Sequence, residues 1–247
     1  MIDIDYNVKN KLKSDFFKNE DKNILEKIKP EILCLYLSDQ NWERDYKTNL
    51  LNNNAWSSKL EKLNDPFEGK IAWDETANED VMEKYNNLYS IIISAFLTEF
   101  NDDILMWSYY AHQHKGICIE YKFEDVYDLY KDSLYPVLYN ERYNLLSGDN
   151  NTNNKQRIIE CFYTKSQCWI HEQEWRLAHV LGEGEKSLDG KEINMPPIAK
   201  IHFGYNVKES DKLYKDIIKF QKSKPEISLD RMILDEKNYK LIVETLF

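Results

Sequence analysis

The densest grouping of reactive side chains is the run Trp169-Ile170-His171-Glu172-Gln173-Glu174-Trp175-Arg176. If this run enters a strand early, Glu172, Glu174 and Arg176 project from one face and Gln173, Trp175 and Leu177 from the other, because side chains alternate along a strand. Two carboxylates and a guanidinium on one surface suit definite chemistry. Carboxylates beside a sugar stabilise the oxocarbenium-like charge that grows as a glycosidic bond breaks, and the arginine fork grips phosphate or carboxylate. A helical reading instead makes Glu172 and Arg176 an i,i+4 surface ion pair, worth only about 0.2–0.5 kcal/mol. His171-Glu172 does not begin a zincin motif, since Trp175 stands where the second histidine belongs.

Two further segments place polar groups beside aromatics at expected turns and strand ends. In Met106-Trp107-Ser108-Tyr109-Tyr110-Ala111-His112-Gln113-His114-Lys115-Gly116, the side chains of Trp107, Tyr110, His112, His114 and Lys115 can converge on one ligand, with aromatic faces stacking on a flat ring. The competing reading makes Trp107 and Tyr110 core residues and the histidines a solvated helix end. His112 and His114 are two apart and do not share a helix face, so they form a weak metal pair. Asn64-Asp65-Pro66-Phe67-Glu68 is a turn by its chemistry, since proline fixes its own φ and pushes Asp65 toward an extended conformation.

The elements that must position these groups follow from periodicity and punctuation. Residues 1–30 are rich in Lys, Asp and Asn, with Phe16, Phe17, Ile24, Leu25 and Ile28 at helical spacing, and form a helical lead of one or two helices. Strands are expected at residues 33–37, 55–58, 90–97, 117–121, 136–139, 174–181 and 199–203, with another near 226–229. Helices are expected at 42–52, 78–89, from Asp102 or Asp103 to Ala111, at 155–167 and at 208–222. Residues 147–154, Ser-Gly-Asp-Asn-Asn-Thr-Asn-Asn, read as a mobile polar loop. Strands and helices alternate without a regular βαβα rhythm. The fold class is therefore α+β, with a mixed or mostly antiparallel central sheet and flanking helices, in one domain over residues 1–247.

Composition narrows the function. The chain has 247 residues, 42% of them hydrophobic and 31% charged, with a formal net charge of -10. That balance fits a globular protein and argues against extensive contact with a nucleic-acid backbone. No basic n-region with an apolar stretch opens the chain and no run approaches membrane-spanning length, so no membrane partner and a cytoplasmic location are expected. Cys34, Cys118, Cys161 and Cys168 are widely spaced, which supports neither a zinc knuckle nor a disulfide framework. With seven glycines there is no Gly-x-Gly-x-x-Gly loop, no Walker-type Gly-Lys-Ser/Thr and no Gly-x-Ser-x-Gly elbow.

Taken in order, several motifs resemble a bacterial family known as domain of unknown function 2971. They are Asn64-Asp-Pro-Phe-Glu68, Phe96 with Leu105-Met-Trp-Ser-Tyr-Tyr110 and His114-Lys-Gly116, Lys165 with Trp169, Glu172-Gln-Glu-Trp-Arg176, and Ile201-His-Phe-Gly204. The resemblance spans residues 33–204, with residues 205–247 adding a C-terminal helix and strand. More distantly, Glu172-Gln-Glu174 before Trp175 and Arg176 looks like the Glu-x-Glu element of ADP-ribosyltransferases. That likeness implies NAD as substrate, Glu174 stabilising the oxocarbenium, Glu172 orienting or deprotonating an acceptor, and Tyr110 stacking on nicotinamide.

Three functions stay open at this point. The first is an NAD-using, ADP-ribosyltransferase-like enzyme with Glu174, Glu172 and His114 as catalytic candidates, and Asn64, Asp65, Glu68, Trp107, Tyr110, Lys165 and Arg176 binding the substrate; it needs no metal. The second is a metal-dependent phosphodiesterase or nuclease in which Asp65, Glu68, Glu172 and Glu174 hold Mg²⁺ and Lys115 or Lys165 supports the nucleophile. The third is a non-enzymatic module whose aromatic pocket recognises a nucleotide or a partner protein, the carboxylates being structural. The acceptor, whether protein or nucleic acid, is not named by the sequence.

Overall fold

A computed structural model describes residues 6–77, 79–90, 92–146 and 153–246. The expectations that rest on residues 1–5, Asn78, Ile91, residues 147–152 and Phe247 lie outside the described residues. The fold is α+β, and its pairings are mostly antiparallel with a few parallel ones. No helix among the described residues is long and apolar enough to cross a membrane.

The chain gathers into two compact units, each drawn from three segments. One comprises Met1–Lys29, Ser57–Phe96 and Asp132–Lys191, and the other Pro30–Trp56, Leu97–Lys131 and Glu192–Phe247. Three of the borders fall within strands, at Asn54–Lys59, Ile92–Thr98 and Gly190–Asn194.

In the first unit the N-terminal lead forms two helices, Tyr6–Asn19 and Lys22–Ile28, the second capped by the Asp21 side chain accepting from Asn23 N. The helix Glu79–Tyr89 turns Val81 and Tyr85 inward at i,i+4 spacing. Tyr85 stacks on Phe162 with ring centroids 5.6 Å apart, in a core that also holds Phe17, Leu60, Ile92, Leu146 and Tyr163. Strand Glu174–Val180 pairs antiparallel with Leu134–Pro136, Arg176 lying opposite Tyr135. Two short parallel ladders complete the unit: Ile71–Trp73 with Asn144–Leu146, and Leu138–Asn140 with Thr164–Ser166.

These ladders correct the helix expected over residues 155–167. The observed helix, Asn153–Phe162, stops early, and Thr164–Ser166 becomes a strand because residues 138–140 offer it backbone partners. A 3₁₀ turn, Gln167–Glu172, follows, and Gln173 takes a left-handed backbone with φ 43° before the strand begins at Glu174. Glu172 therefore reaches the site from a turn, not from the strand.

In the second unit, Ile32–Leu37 pairs antiparallel with Ile117–Lys122, which pairs antiparallel with Lys200–Phe203. Lys200–Phe203 then runs parallel to Ser228–Leu234, with the helix Lys212–Ser223 as the crossover, and Leu241–Thr245 closes this set antiparallel. Residues 42–52 are part α-helix, Trp42–Asp45, and part π-helical turn, Tyr46–Leu51. The helix Ile104–Tyr110 is capped by Asp103, whose carboxylate accepts from Leu105 N and Met106 N. It ends in three successive left-handed residues, His112, Gln113 and His114. Gly116 just beyond them is required by close approach: a Cβ there would lie 1.9 Å from the Leu37 carbonyl oxygen.

Candidate functional site

Arg176 is the centre of the first unit's polar interior. Strand alternation puts Glu174 and Arg176 on the same face, and the Arg176 Nε donates to Glu174 Oε1 at 2.7 Å while Nη2 donates to Glu174 Oε2 at 3.1 Å. Glu68, delivered by the Asn64–Glu68 turn, takes the other edge: Nη1 to Glu68 Oε2 at 2.9 Å and Nη2 to Glu68 Oε1 at 3.1 Å. Nη1 also donates to the Phe162 carbonyl at 2.8 Å. A guanidinium has five N–H donors, and here all five are used.

Lys165, on the short strand Thr164–Ser166, joins the three glutamates. Its Nζ lies 2.7 Å from Glu172 Oε2, 3.4 Å from Glu68 Oε1 and 3.5 Å from Glu174 Oε2, and 4.9 Å from the centroid of the Trp169 ring. Glu68, Lys165, Glu172, Glu174 and Arg176 are all buried. Burial pushes the Glu174 carboxyl up, but the combined pull of Arg176 and Lys165 outweighs it and holds the group below the ordinary carboxylate range. Burial works against the Lys165 charge, and Glu174, Glu172 and Glu68 together overcome it, raising that pKa above the ordinary lysine value. Three carboxylates thus face two cations. A third cation, the buried Lys13, lies 3.4 Å from Gln173 Oε1 and beside the ring of Tyr139, whose hydroxyl accepts from Glu174 N at 2.8 Å.

Other candidates from the sequence have different surroundings. Asn64 is exposed. Asp65 is buried: its Oδ1 accepts from Phe67 N at 2.9 Å, and its Oδ2 has no hydrogen-bond partner. Trp107, Tyr110 and His114 belong to the second unit. Trp107 is fully buried there, donating from Nε1 to the Asn101 carbonyl at 2.6 Å and meeting Tyr36 edge-on at 5.1 Å between centroids. His114 stacks on Trp107, its Nε2 lies 3.2 Å from Ser108 Oγ, and burial lowers its pKa. The Mg²⁺ reading needs free oxygens on Glu68, Glu172 and Glu174, and these converge on Lys165 and Arg176 instead. Among the described residues no group of three or more His, Cys, Asp or Glu is arranged to hold a metal ion.

Beside the network, within the same unit, lies a cleft of about 580 Å³. The two parallel ladders supply Ala72, Asn140, Leu145, Thr164, Lys165 and Ser166 to its walls, and the adjoining turns supply Phe67, Lys70, Glu141, Arg142 and Tyr143. Phe67 and Tyr143 are 54% and 48% exposed, with centroids 6.3 Å apart and planes tilted by 38°. The side chains of Lys70 and Arg142 have no ion-pair or hydrogen-bond partner among the described residues. Of the cleft residues, the sequence singled out only Lys165 as a binding candidate. Lys70, Arg142, Tyr143 and Leu145 carry no pattern that marks them, and Phe67 was visible only as part of a turn.

Residues 106–177 match the family model described as Protein of unknown function (DUF2971). The matched stretch holds Lys165, Glu172, Glu174 and Arg176 of the network and the cleft residues from Asn140 to Leu145 and from Thr164 to Ser166. Phe67, Glu68 and Lys70 precede it. No curated protein and no solved structure matches the chain.

Proposed function

We propose that the chain is a ligand-binding module whose first-unit cleft takes a small, flat organic anion, and that Glu68, Glu172 and Glu174 are structural. One observation carries the reading. Both oxygens of Glu174 are committed to Arg176 and Lys165 in a buried network, while the cleft beside it presents two exposed rings and two cations whose side chains have no partner among the described residues. A carboxylate that stabilises a developing sugar cation must offer an oxygen to the substrate. Glu174 would have to break a charge-assisted bond in a low-dielectric interior to do so. The volume of about 580 Å³ is that of an ordinary small-molecule site.

The test is a thermal-shift and calorimetric survey of the full chain against aromatic carboxylates and nucleotides, with NAD included and nicotinamide release recorded. Binding that raises the melting temperature and is lost in Phe67→Ala and Arg142→Ala is the expected result. Nicotinamide release by the wild type that disappears in a folded Glu174→Gln variant would overturn the reading in favour of glycosidic cleavage.

A further inference from the structure

The cleft's own chemistry narrows the ligand, given that it binds a flat anion at all. We infer that the ligand is a nucleoside monophosphate, its base against Phe67 and Tyr143 and its phosphate between Lys70 and Arg142. Charge is the first reason. Lys165 lines the cleft, but its ammonium is already balanced by the three glutamates behind it. The positive charge that no side chain among the described residues balances comes from Lys70 and Arg142, on a chain whose net charge is -10. A phosphate monoester carries roughly −1.5 to −2 at neutral pH and three terminal oxygens, so it can occupy both cations at once, two oxygens on the arginine fork and one on the lysine. A carboxylate has one charge and two oxygens, which one of these side chains would satisfy. Glu141 also lines the cleft, and its negative charge disfavours the added charge of longer polyphosphates.

The apolar end supplies the second reason. Phe67 and Tyr143 each leave about half their surface to solvent and pack on one another at a tilt of 38°, so ring surface remains open for a flat base to stack against from outside the pair. Base–aromatic stacking contributes on the order of 1–3 kcal/mol per base. Ser166 also lines the cleft, and its hydroxyl oxygen accepts from the Cys168 thiol at 3.3 Å and keeps its own proton for a sugar oxygen. Thr164 in the same strand has no such capacity, because its hydroxyl already donates to the Glu160 carbonyl and accepts from Asn144.

Calorimetry on the full chain tests this with AMP, GMP, CMP, UMP, adenosine, inorganic phosphate, benzoate and NAD as separate probes. At least one monophosphate is expected to bind ten-fold or more tightly than adenosine and phosphate. Arg142→Ala should weaken that monophosphate at least ten-fold and leave adenosine unchanged, whereas Phe67→Ala should weaken both. Both side chains are exposed, so the variants should keep the wild-type melting temperature. If benzoate binds and no monophosphate exceeds it, the cleft binds a flat anion and the nucleotide assignment is overturned. If no probe binds, the cleft reading falls with it.

Discussion

Replacing Arg176 with methionine tests whether the buried network holds the first unit together. The side chain makes five hydrogen bonds, four of them to carboxylates, and none can be taken over by water because every partner is buried. Its removal leaves Glu68, Glu172 and Glu174 facing Lys165 alone. Breaking a buried ion pair by deleting one partner costs about 3–5 kcal/mol, most of it the stranded charge. Against a total stability of about 5–15 kcal/mol, that is a large share. With a urea slope near ~2 kcal/mol/M, the midpoint should fall by about 2 M. Tryptophan fluorescence is the assay, with Trp73, Trp169 and Trp175 in the first unit and Trp42, Trp56 and Trp107 in the second. Arg176→Lys keeps the charge but has three donors and no planar fork, so it should fall between wild type and Arg176→Met. The triple change Glu68→Met, Glu174→Leu and Arg176→Met removes the stranded charges too and should recover about half the loss or more. A midpoint shift below about 0.5 M for Arg176→Met, near ~1 kcal/mol, would refute the reasoning.

Stability should also depend on pH in a defined way. The lowered pKa of Glu174 gives stabilisation that is present above its ordinary value of 4.5 and lost as pH falls through the depressed one. The raised pKa of Lys165 gives stabilisation present below 10.5 and lost only as pH rises through the elevated value. Acid titration of the melting temperature should therefore show a steeper loss in wild type than in Arg176→Met, and equal slopes would contradict the assignment. Asp103→Ala removes the cap of the helix Ile104–Tyr110 and should lower stability by about 0.5–2 kcal/mol in chemical denaturation, whereas Asp103→Asn should lose less. Gly116→Ala forces a Cβ onto the Leu37 carbonyl and should depress folded yield sharply, measurable by size exclusion and circular dichroism; a variant that melts like wild type would rule out the close approach.

The parts of this fold that the sequence made legible are those with long, local patterns. The apolar runs at Ile32–Leu37 and Ile117–Lys122 are strands, and the helix after Asp103 carries its cap in the sequence. The alternation of Glu174 and Arg176 correctly placed both on one face. Glu172 reached the same site by another route, because a left-handed Gln173 is a backbone state that residue type does not announce. The cleft was illegible for a related reason. Its walls come from ladders of three residues each, too short to show a period, and from turns more than seventy residues apart. Lys13 gives no sign of its burial, since lysines on helices are mostly solvated. Trp107, open between core and ligand on sequence grounds, is enclosed by Tyr36, His114 and the Asn101 carbonyl.

The alternating assignment of segments to the two units has a consequence for biosynthesis. Glu68 leaves the ribosome 108 residues before its partner Arg176, an interval of roughly 5–20 s at ordinary elongation rates. During that interval the glutamate has no guanidinium to receive it, and the first unit cannot close until residues up to Lys191 have emerged. The nascent chain would be open to proteases and to chaperones for most of its synthesis, and cutting the gene anywhere between Pro30 and Lys191 would leave both fragments without a complete unit.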